Sequence, residues 1–258
     1  TARSWIFSKE ELEQLLPSRK DGISFEEEIN HREIGIEIIR SATKILQLDI
    51  EVVGYAMTIF HRYFCAQSIK HSDLFKITGA CIFLSSKTFG DVPRKLGDIV
   101  TVFHYLKTQH KEPEVISIGE EYWNAKDKLM ETEKEILCSM SFDLNIELPY
   151  RWILVFINAI QGNNQLNQLA WNLCNESFRG IFCIRYTPQD IAVSCIHTAA
   201  KILSISLPSG FENSWNHCFD VSSDIVEEIS IELLQIANKQ RIELSEYCKE
   251  CMEENQNG

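Results

Sequence analysis

The sequence predicts an all-α protein made of two tandem five-helix repeats, preceded by a short flanking helix. The first observation is an internal repeat: ITGACIFLSSK (77–87) and IAVSCIHTAAK (191–201) match at a constant offset of 114 residues. Self-similarity at a fixed offset indicates a duplicated structural unit. The second observation is that six prolines and eleven glycines in 258 residues are few, which favours long helices over strands and turns.

The N-terminal flank, residues 1–30, carries a helix-start signal. Ser8 and Glu11 have the spacing of a capping box, in which each residue satisfies a backbone donor near the other. This predicts a short helix from about residue 9 to residue 16. Pro17 should end it, because the residue before a proline disfavours helical geometry.

The first repeat is predicted over residues 31–146. A second capping box, Ser24 with Glu27, opens its first helix. The later helices are predicted from Ile50 (capped by Asp49) to about Ala66, around residues 77–87, from Pro93 to Leu106, and from Tyr122 to Met140. Residues 107–121 lack periodicity and are predicted to form an exposed loop.

The second repeat is predicted over residues 147–240, with the same order of elements. Its predicted segments are Pro149–Ile160, Leu166–Phe178, Pro188–Leu203 after a Thr187 cap, a weaker segment containing Pro208 and Trp215, and Asp224–Gln240. A polar tail, 241–258, follows without periodicity.

Composition excludes several classes of function. The net charge of −12 argues against direct nucleic-acid binding, and no apolar run is long enough to span a membrane. The nine cysteines are odd in number and lie mostly in apolar runs, which is typical of free thiols. Cys248 and Cys251 form a lone C-x-x-C with no second pair at zinc-ligand spacing. No catalytic motif and no cofactor motif is present, so the sequence does not predict an enzyme.

Two charges interrupt apolar stripes and are the most informative residues. Lys87 continues the stripe of the central helix, and Glu133 lies between Leu129 and Ile136 on the fifth helix. An unpaired carboxylate on such a face costs several kcal/mol, so each charge needs a partner. One alternative is that they pair with each other. The other is that both lie at the edge of a groove and bind another protein. In the second repeat Ser230 aligns with Glu133, so that repeat has no equivalent carboxylate. A purely architectural pair would be expected in both repeats, which favours the second alternative.

The tandem pattern resembles the cyclin box fold over roughly residues 5–240. The resemblance rests on FHRYF (60–64), ITGACIFLSSK, VPRKLGDIV (92–100) and METEKEILCSMSFDL (130–144), which occur in the family's order. HRYF followed by QSI looks like the transcriptional cyclins. The opening WIFSKEELEQLLPSRKDGIS and the later ELPY and YTPQDIAVSCIHTAAK are most similar to the T-type cyclins, and next to the K-type.

The resemblance implies a regulatory subunit that binds a cyclin-dependent kinase of the transcription-elongation type, as a heterodimer in the nucleus, and promotes phosphorylation of the C-terminal repeats of RNA polymerase II. It assigns the kinase contact to Lys87 and Glu133. The family usually continues V-E-E after this lysine, whereas here TFGDV follows, with Asp91 as the substitute acid. The kinase-binding residues implied are Lys87, Glu133, Phe83, Asp91, Leu129 and Ile136.

Two other functions fit a fold of this kind. A two-repeat transcription initiation factor would bind DNA through basic helices, which the net charge of −12 disfavours. A pocket-type scaffold would bind short linear peptides without activating a kinase.

Overall fold

The computed structural model describes residues 5–90, 92–108, 118–208, 215–240 and 244. These residues form eleven α-helices and two short 3-10 helices, and no strand occurs among them. The α-helices are α1 (Lys9–Gln14), α2 (Pro17–Lys20), α3 (Phe25–Ile45), α4 (Ile50–Ala66), α5 (Leu74–Thr88), α6 (Leu96–Thr108), α7 (Glu120–Ser139), α8 (Pro149–Ala159), α9 (Asn164–Ser177), α10 (Pro188–Leu203) and α11 (Ser223–Asn238). The predicted all-α class is confirmed.

The chain divides into two compact units. The first unit comprises the described residues of 10–144, and so contains nearly all of α1 and the whole of α2 to α7. The second unit comprises residues 5–9 and 145–240, with α8 to α11 and both 3-10 helices, Phe182–Ile184 and Trp215–Phe219.

The repeat predicted from the sequence is visible in the helix starts. Helices α4 and α9 begin at residues 50 and 164, and helices α5 and α10 begin at 74 and 188. Both pairs are therefore 114 residues apart, the offset of the sequence repeat. Where the first unit has α6, the described part of the second unit has the 3-10 helix 215–219.

The N-terminal flank contains a second, one-turn helix that the sequence did not predict. Helix α1 ends before Pro17, as predicted. Pro17 then occupies the first position of the one-turn helix α2. Leu12 and Leu16 are almost fully buried. The hydroxyl of the buried Ser18 accepts a hydrogen bond from the Ile69 N–H at 3.2 Å, which fixes α2 to the first unit.

The first residues described belong to the second unit. Trp5 is buried there, and the Phe7 N–H donates to the Ile184 carbonyl at 2.9 Å. Trp5 is therefore an apolar anchor for the start of the chain.

Helix α3 starts with the predicted capping box and then buries charge. The Ser24 hydroxyl accepts from the Glu27 N–H, and the Glu27 carboxylate accepts from the Ser24 N–H at 2.7 Å. One turn on, the guanidinium of Arg32 donates to Glu28 at 2.7 Å and to the His61 carbonyl at 2.8 Å. Because Glu28 and Arg32 are 1% and 2% exposed, these bonds replace the water that both charges lose.

Two predicted helix starts differ from the observed ones. Asp49 occupies the N-cap position of α4, but its side chain makes no capping hydrogen bond. Pro93 does not open α6, which begins at Leu96. The Arg94 N–H donates to the Ser86 hydroxyl at 3.3 Å, so the chain before α6 is tied to α5 and follows a non-helical path.

Helix α7 begins at Glu120, two residues before the predicted start at Tyr122. The predicted loop 107–121 is therefore shorter at both ends, because its first two residues extend α6 and its last two open α7. Residues 109–117 lie outside the described residues.

Helix α10 has the predicted bounds and the predicted N-cap. The Thr187 hydroxyl accepts a hydrogen bond from the Asp190 N–H, and the Asp190 carboxylate accepts one from the Thr187 N–H. Pro188 occupies the first helical position. Helix α11 is capped by the Ser222 side chain and starts at Ser223, one residue earlier than predicted.

Some predictions fall outside the described residues, namely those for most of the tail 241–258 and for Cys248 and Cys251. The seven cysteines of the described part are free thiols. Among the described helices, none combines the length and the apolarity that crossing a membrane requires.

Candidate functional site

The two charges that interrupt apolar stripes lie side by side on α5 and α7 of the first unit. Most side chains of helix α5 are buried, among them Ile77, Cys81 and Leu84. Lys87 lies in its last turn, where 40% of the side chain is exposed. A cation in the last turn also interacts favourably with the negative end of the helix dipole.

Glu133 lies on α7 between two core residues, Leu129 and Ile136. Its side chain is 12% exposed, and its carboxylate accepts a hydrogen bond from the Lys87 ammonium at 2.5 Å. The same ammonium lies 4.4 Å from the ring centroid of Phe83, a cation–π geometry. Each charge therefore has a partner inside the first unit, while the outer side of Lys87 remains accessible.

This ion pair contributes little to the stability of the fold. Pairs with a largely solvated partner are typically worth about 0–1 kcal/mol, because water screens the attraction and side-chain entropy is lost. The Lys87–Glu133 pair lies at the surface end of α5 and is half open to solvent on the lysine side. Its residues can therefore be exchanged with a small expected cost to folding.

Exposed apolar side chains follow both helices that carry the pair. Phe89, directly after α5, is 41% exposed, and Phe142, in the loop after α7, is 65% exposed. The Phe89 ring stacks on Tyr55 with centroids 5.2 Å apart, and the Tyr55 hydroxyl donates to the Leu144 carbonyl at 2.5 Å. Tyr55 thus connects the end of α5 to the loop after α7. Exposed apolar side chains that cluster in this way mark a protein–protein contact surface more often than scattered ones do.

The loop after α7 holds Phe142 in an uncommon conformation. Ser141 and Phe142 both have positive φ angles, 54° and 58°, and the Phe142 N–H donates to the Leu137 carbonyl at 2.8 Å. A bulky side chain in the left-handed region costs about 1–3 kcal/mol, and such strain tends to be kept at functional sites. The sequence pattern did not single out Phe142, because it carries no sign of this backbone geometry.

The structure brings three of the residues implied by the resemblance together: Lys87, Glu133 and Phe83. Leu129 and Ile136 are 7% and 0% exposed and pack in the core beneath Glu133. In this structure they are part of the core of the first unit, so their predicted contact with a kinase remains a prediction. Asp91 lies outside the described residues.

A cavity of about 650 Å³ lies between α5, α6 and α7. Two of its lining lysines, Lys76 and Lys107, act on the same carboxylate, Asp73, and the Lys76–Asp73 distance is 3.1 Å. Burial alone would raise the pKa of Asp73, but the two lysines outweigh it and the pKa lies below its usual value. The charges of Lys76, Lys107 and Asp73 therefore compensate one another within the chain. Among the described residues, no cluster of His, Cys, Asp and Glu could hold a metal ion.

Comparisons with known proteins identify similar sequences over most of the chain. The family model "Cyclin, N-terminal domain" matches residues 4–145. Cyclin-L2 of Rattus norvegicus is 30% identical over 237 residues, which are 90% of this chain and 45% of that protein. Cyclin-T1-5 of Arabidopsis thaliana is 31% identical over 246 residues, 94% of this chain and 42% of that protein. The chain thus spans less than half the length of these relatives.

A solved structure shares the fold of nearly the whole chain. It is a chain of the crystal structure of the yeast RNA Pol II CTD kinase CTDK-1 complex, with a TM-score of 0.73 and 15% identity. The match covers 99% of this chain and 83% of that one. At this level of identity the likeness concerns the fold alone.

The family model covers more than half of the chain, which is enough to assign the family. The chain belongs to the cyclin family. The L-type and T-type relatives confirm the transcriptional type that the sequence predicted.

Proposed function

We propose that this chain binds and activates a cyclin-dependent kinase of the transcription-elongation type. In this proposal it forms a heterodimer with the kinase in the nucleus and promotes phosphorylation of the C-terminal repeats of RNA polymerase II. The observation that carries the proposal is the Lys87–Glu133 pair at an exposed apolar edge of the first unit. The T-type relative and the fold shared with a chain of a polymerase CTD kinase complex support it.

The pair can offer both hydrogen-bond donors and acceptors to a kinase. An ammonium group has three N–H donors, and the observed bond to Glu133 uses one of those on Lys87. The Glu133 carboxylate has lone pairs left after accepting that bond. In the complex, Lys87 would donate to backbone carbonyls of the kinase and Glu133 would accept from its backbone N–H groups. Together they would fix the position of one mobile segment of the kinase.

Activation then follows from selective binding. A kinase is active when its catalytic lysine pairs with the glutamate of its mobile helix. A subunit that binds the inward position of that helix more tightly shifts the population toward the active conformation. The energy of the shift is limited by the difference in affinity for the two conformations, so the contact must be strong.

In this proposal, exposed apolar side chains of the first unit supply the binding energy that the contact needs. Phe89, two residues after Lys87, and Phe142, in the loop after α7, are exposed aromatic side chains of the first unit, and in this proposal they become buried in the complex. Their burial removes water from the charged contact and so strengthens it. Phe83 and Asp91 remain proposed contacts in this scheme. Leu129 and Ile136 are buried in the free chain, on the same helix as Glu133, so a contact with the kinase would first require them to become exposed.

The charge exchange Lys87→Glu with Glu133→Lys tests the proposal. It preserves a pair within the chain but presents the wrong charge to each kinase group. Losing a desolvated charged contact costs about 2–5 kcal/mol, so we expect the affinity for the kinase to fall by on the order of a hundredfold. Binding to purified elongation-type kinase and phosphorylation of a polymerase-repeat peptide are measured together with the melting temperature, which should change little.

A matched control is Lys201→Glu, which alters the repeat-equivalent lysine of the second unit. This variant should keep its affinity for the kinase and its activating effect. Full activation by the exchanged variant would show that the pair has only an internal role. Activation of the kinase without phosphorylation of the polymerase peptide would retain the regulatory role and reject the substrate.

A further inference from the structure

Helix α11 of the second unit has an outward face that combines apolar and acidic side chains. Ile231 is 59% exposed and Leu234 is 38% exposed. Asp224, Glu227 and Glu228 are exposed on the same helix. With 3.6 residues per turn, these five residues fall within an arc of about 120° on one side of the helix.

The opposite side of α11 already supplies a complete core stripe. Val226, Ile229 and Leu233 are 2%, 0% and 0% exposed. Packing of the second unit therefore does not account for two further large aliphatic side chains, Ile231 and Leu234, one turn apart on the outward side. Exposed apolar side chains that are neighbours and have polar residues beside them are typical of a protein–protein contact surface.

The charge of α11 has one sign. Its sequence, SDIVEEISIELLQIAN, contains four acids and no lysine or arginine. Arg185 pairs with two of these acids, Glu228 and Glu232, at 2.7 Å each, and so offsets one negative charge. An excess of negative charge therefore lies beside Ile231 and Leu234, which favours a partner surface that is positively charged.

From this combination we infer that the outward face of α11 is a docking surface for a basic amphipathic segment of a partner protein. Apolar side chains of that segment cover Ile231 and Leu234, and its lysines and arginines lie against Asp224, Glu227 and Glu228. The partner is a component other than the kinase, whose proposed contact lies on the first unit. The inference therefore does not depend on the proposed function.

Charge argues against the other occupants. A second copy of this chain carries the same acidic face and a net charge of −12, so it would be repelled. Residues 241–258 contain five acids and two bases and would be repelled for the same reason. Nucleic acids and anionic membranes are negatively charged as well. A basic protein segment is the occupant that remains.

The repeat shows that the scaffold does not require this face. Alignment of Leu137 with Leu234 places Lys134 of the first unit at the position of Ile231. The same helix position thus accepts a cation in one unit and an aliphatic side chain in the other. The acidic and apolar face is a property of the second unit, as expected for a surface that serves one partner.

A synthetic peptide serves as the probe. It is fluorescently labelled, about five helical turns long, with leucines on one side and lysines and arginines beside them. A peptide of the same composition in scrambled order is its control. Fluorescence anisotropy at about 0.05 M and about 0.3 M salt measures the affinity, because screening separates the charged part of the attraction from the apolar part.

Two double variants remove the two parts of the face in turn. We expect Ile231→Ala with Leu234→Ala to weaken binding of the amphipathic peptide about tenfold, the size of effect that apolar anchors have. Asp224→Asn with Glu227→Gln should weaken it about threefold and make it less sensitive to salt. The matched control Leu154→Ala with Val155→Ala removes two side chains of α8, each 48% exposed, and should bind like the native chain. Melting temperatures should change little, since the altered side chains are exposed.

Each outcome supports or overturns the inference. Tighter binding of the amphipathic peptide than of the scrambled one, lost in both α11 variants and kept in the α8 control, supports it. Equal binding of the two peptides would show that only the overall charge of the chain attracts them, and the inference would be wrong. It would be wrong as well if the native chain bound neither peptide, or if sedimentation showed a dimer that Ile231→Ala with Leu234→Ala abolishes. Loss of kinase binding in that variant would assign the face to the kinase instead.

Discussion

The two units share a helical scaffold but differ at the position that carries the candidate site. In the first unit, Lys87 meets Glu133 across α5 and α7. In the second, Lys201 is exposed at the equivalent end of α10, but the position of Glu133 is taken by Ser230. Ser230 is buried, and its hydroxyl donates to the Val226 carbonyl of its own helix at 2.6 Å. The lysine is thus common to both units, and the carboxylate distinguishes them.

The units also differ in how their first helices begin. Helix α3 has 21 residues, whereas α8 has 11 and starts at residue 149, which is 114 residues after residue 35. Helix α8 therefore has no counterpart of the turns that carry Glu28 and Arg32. Of these two first helices, α3 buries charged side chains and α8 buries only apolar residues and Tyr150, so removal of the α3 charges should affect the first unit most.

The largest effect is expected for Arg32→Ala. This change leaves the Glu28 carboxylate buried with Arg19, at 2.7 Å, as its remaining cation. Removing one partner of a buried ion pair typically costs about 3–5 kcal/mol, because the other charge is left without sufficient compensation. We expect a loss near the lower end of this range, since Arg19 remains. Urea denaturation, with fluorescence and circular dichroism followed in parallel, measures it.

A paired variant sharpens this comparison. Replacing both Glu28 and Arg32 by apolar residues of similar size should cost less than Arg32→Ala alone, because no charge is then left buried without its partner. A double variant that is less stable than the single one would contradict the view that Glu28 is the source of the penalty.

An intermediate effect is expected from pH. Burial, reinforced by the charge of Arg32, lowers the pKa of His31 to about 4. The unfolded chain binds a proton near the ordinary value of 6.5, so stability present above pH 6.5 is lost as the pH falls toward 4. The slope is at most about 1.4 kcal/mol per pH unit. His31→Gln should remove this part of the difference between denaturation at pH 7 and at pH 5.

His197 provides the matching test in the second unit. Its pKa is also lowered, by burial first and then by Lys201, while Glu227 opposes the shift. His197→Gln should reduce the pH dependence less than His31→Gln does. If His197→Gln reduced the pH dependence of stability more than His31→Gln, the second unit and not the first would be the more pH-sensitive one.

The smallest effect is expected for Ser230→Ala. The hydroxyl bonds only within its own helix in the described contacts, and alanine has a higher helix propensity, so the free energy of unfolding should change by about 0.5 kcal/mol or less. Binding to the kinase should be unchanged. Glu133→Ala should weaken that binding instead, although it leaves the fold nearly as stable. A binding defect in Ser230→Ala would show that the second unit contributes at this position after all.

The sequence by itself determined the features that depend on neighbouring residues. The offset of 114, the capping boxes at Ser24 and Thr187, and the bounds of α10 follow from local hydrogen bonding and helical periodicity, which act over a few residues. The two misplaced charges were also evident, because a charge within an apolar stripe departs from a local pattern. These signals sufficed for the all-α class and the repeat.

Only the tertiary structure decided what those charges touch and which side chains surround them. That Lys87 and Glu133 pair, that Leu129 and Ile136 lie beneath them, and that Phe142 is exposed all depend on helices distant in sequence. The start of α6 after Pro93 was missed for the same reason, since the bond from Arg94 to Ser86 joins two elements. Local propensity cannot encode such contacts, because their energy arises only when separate parts of the chain meet.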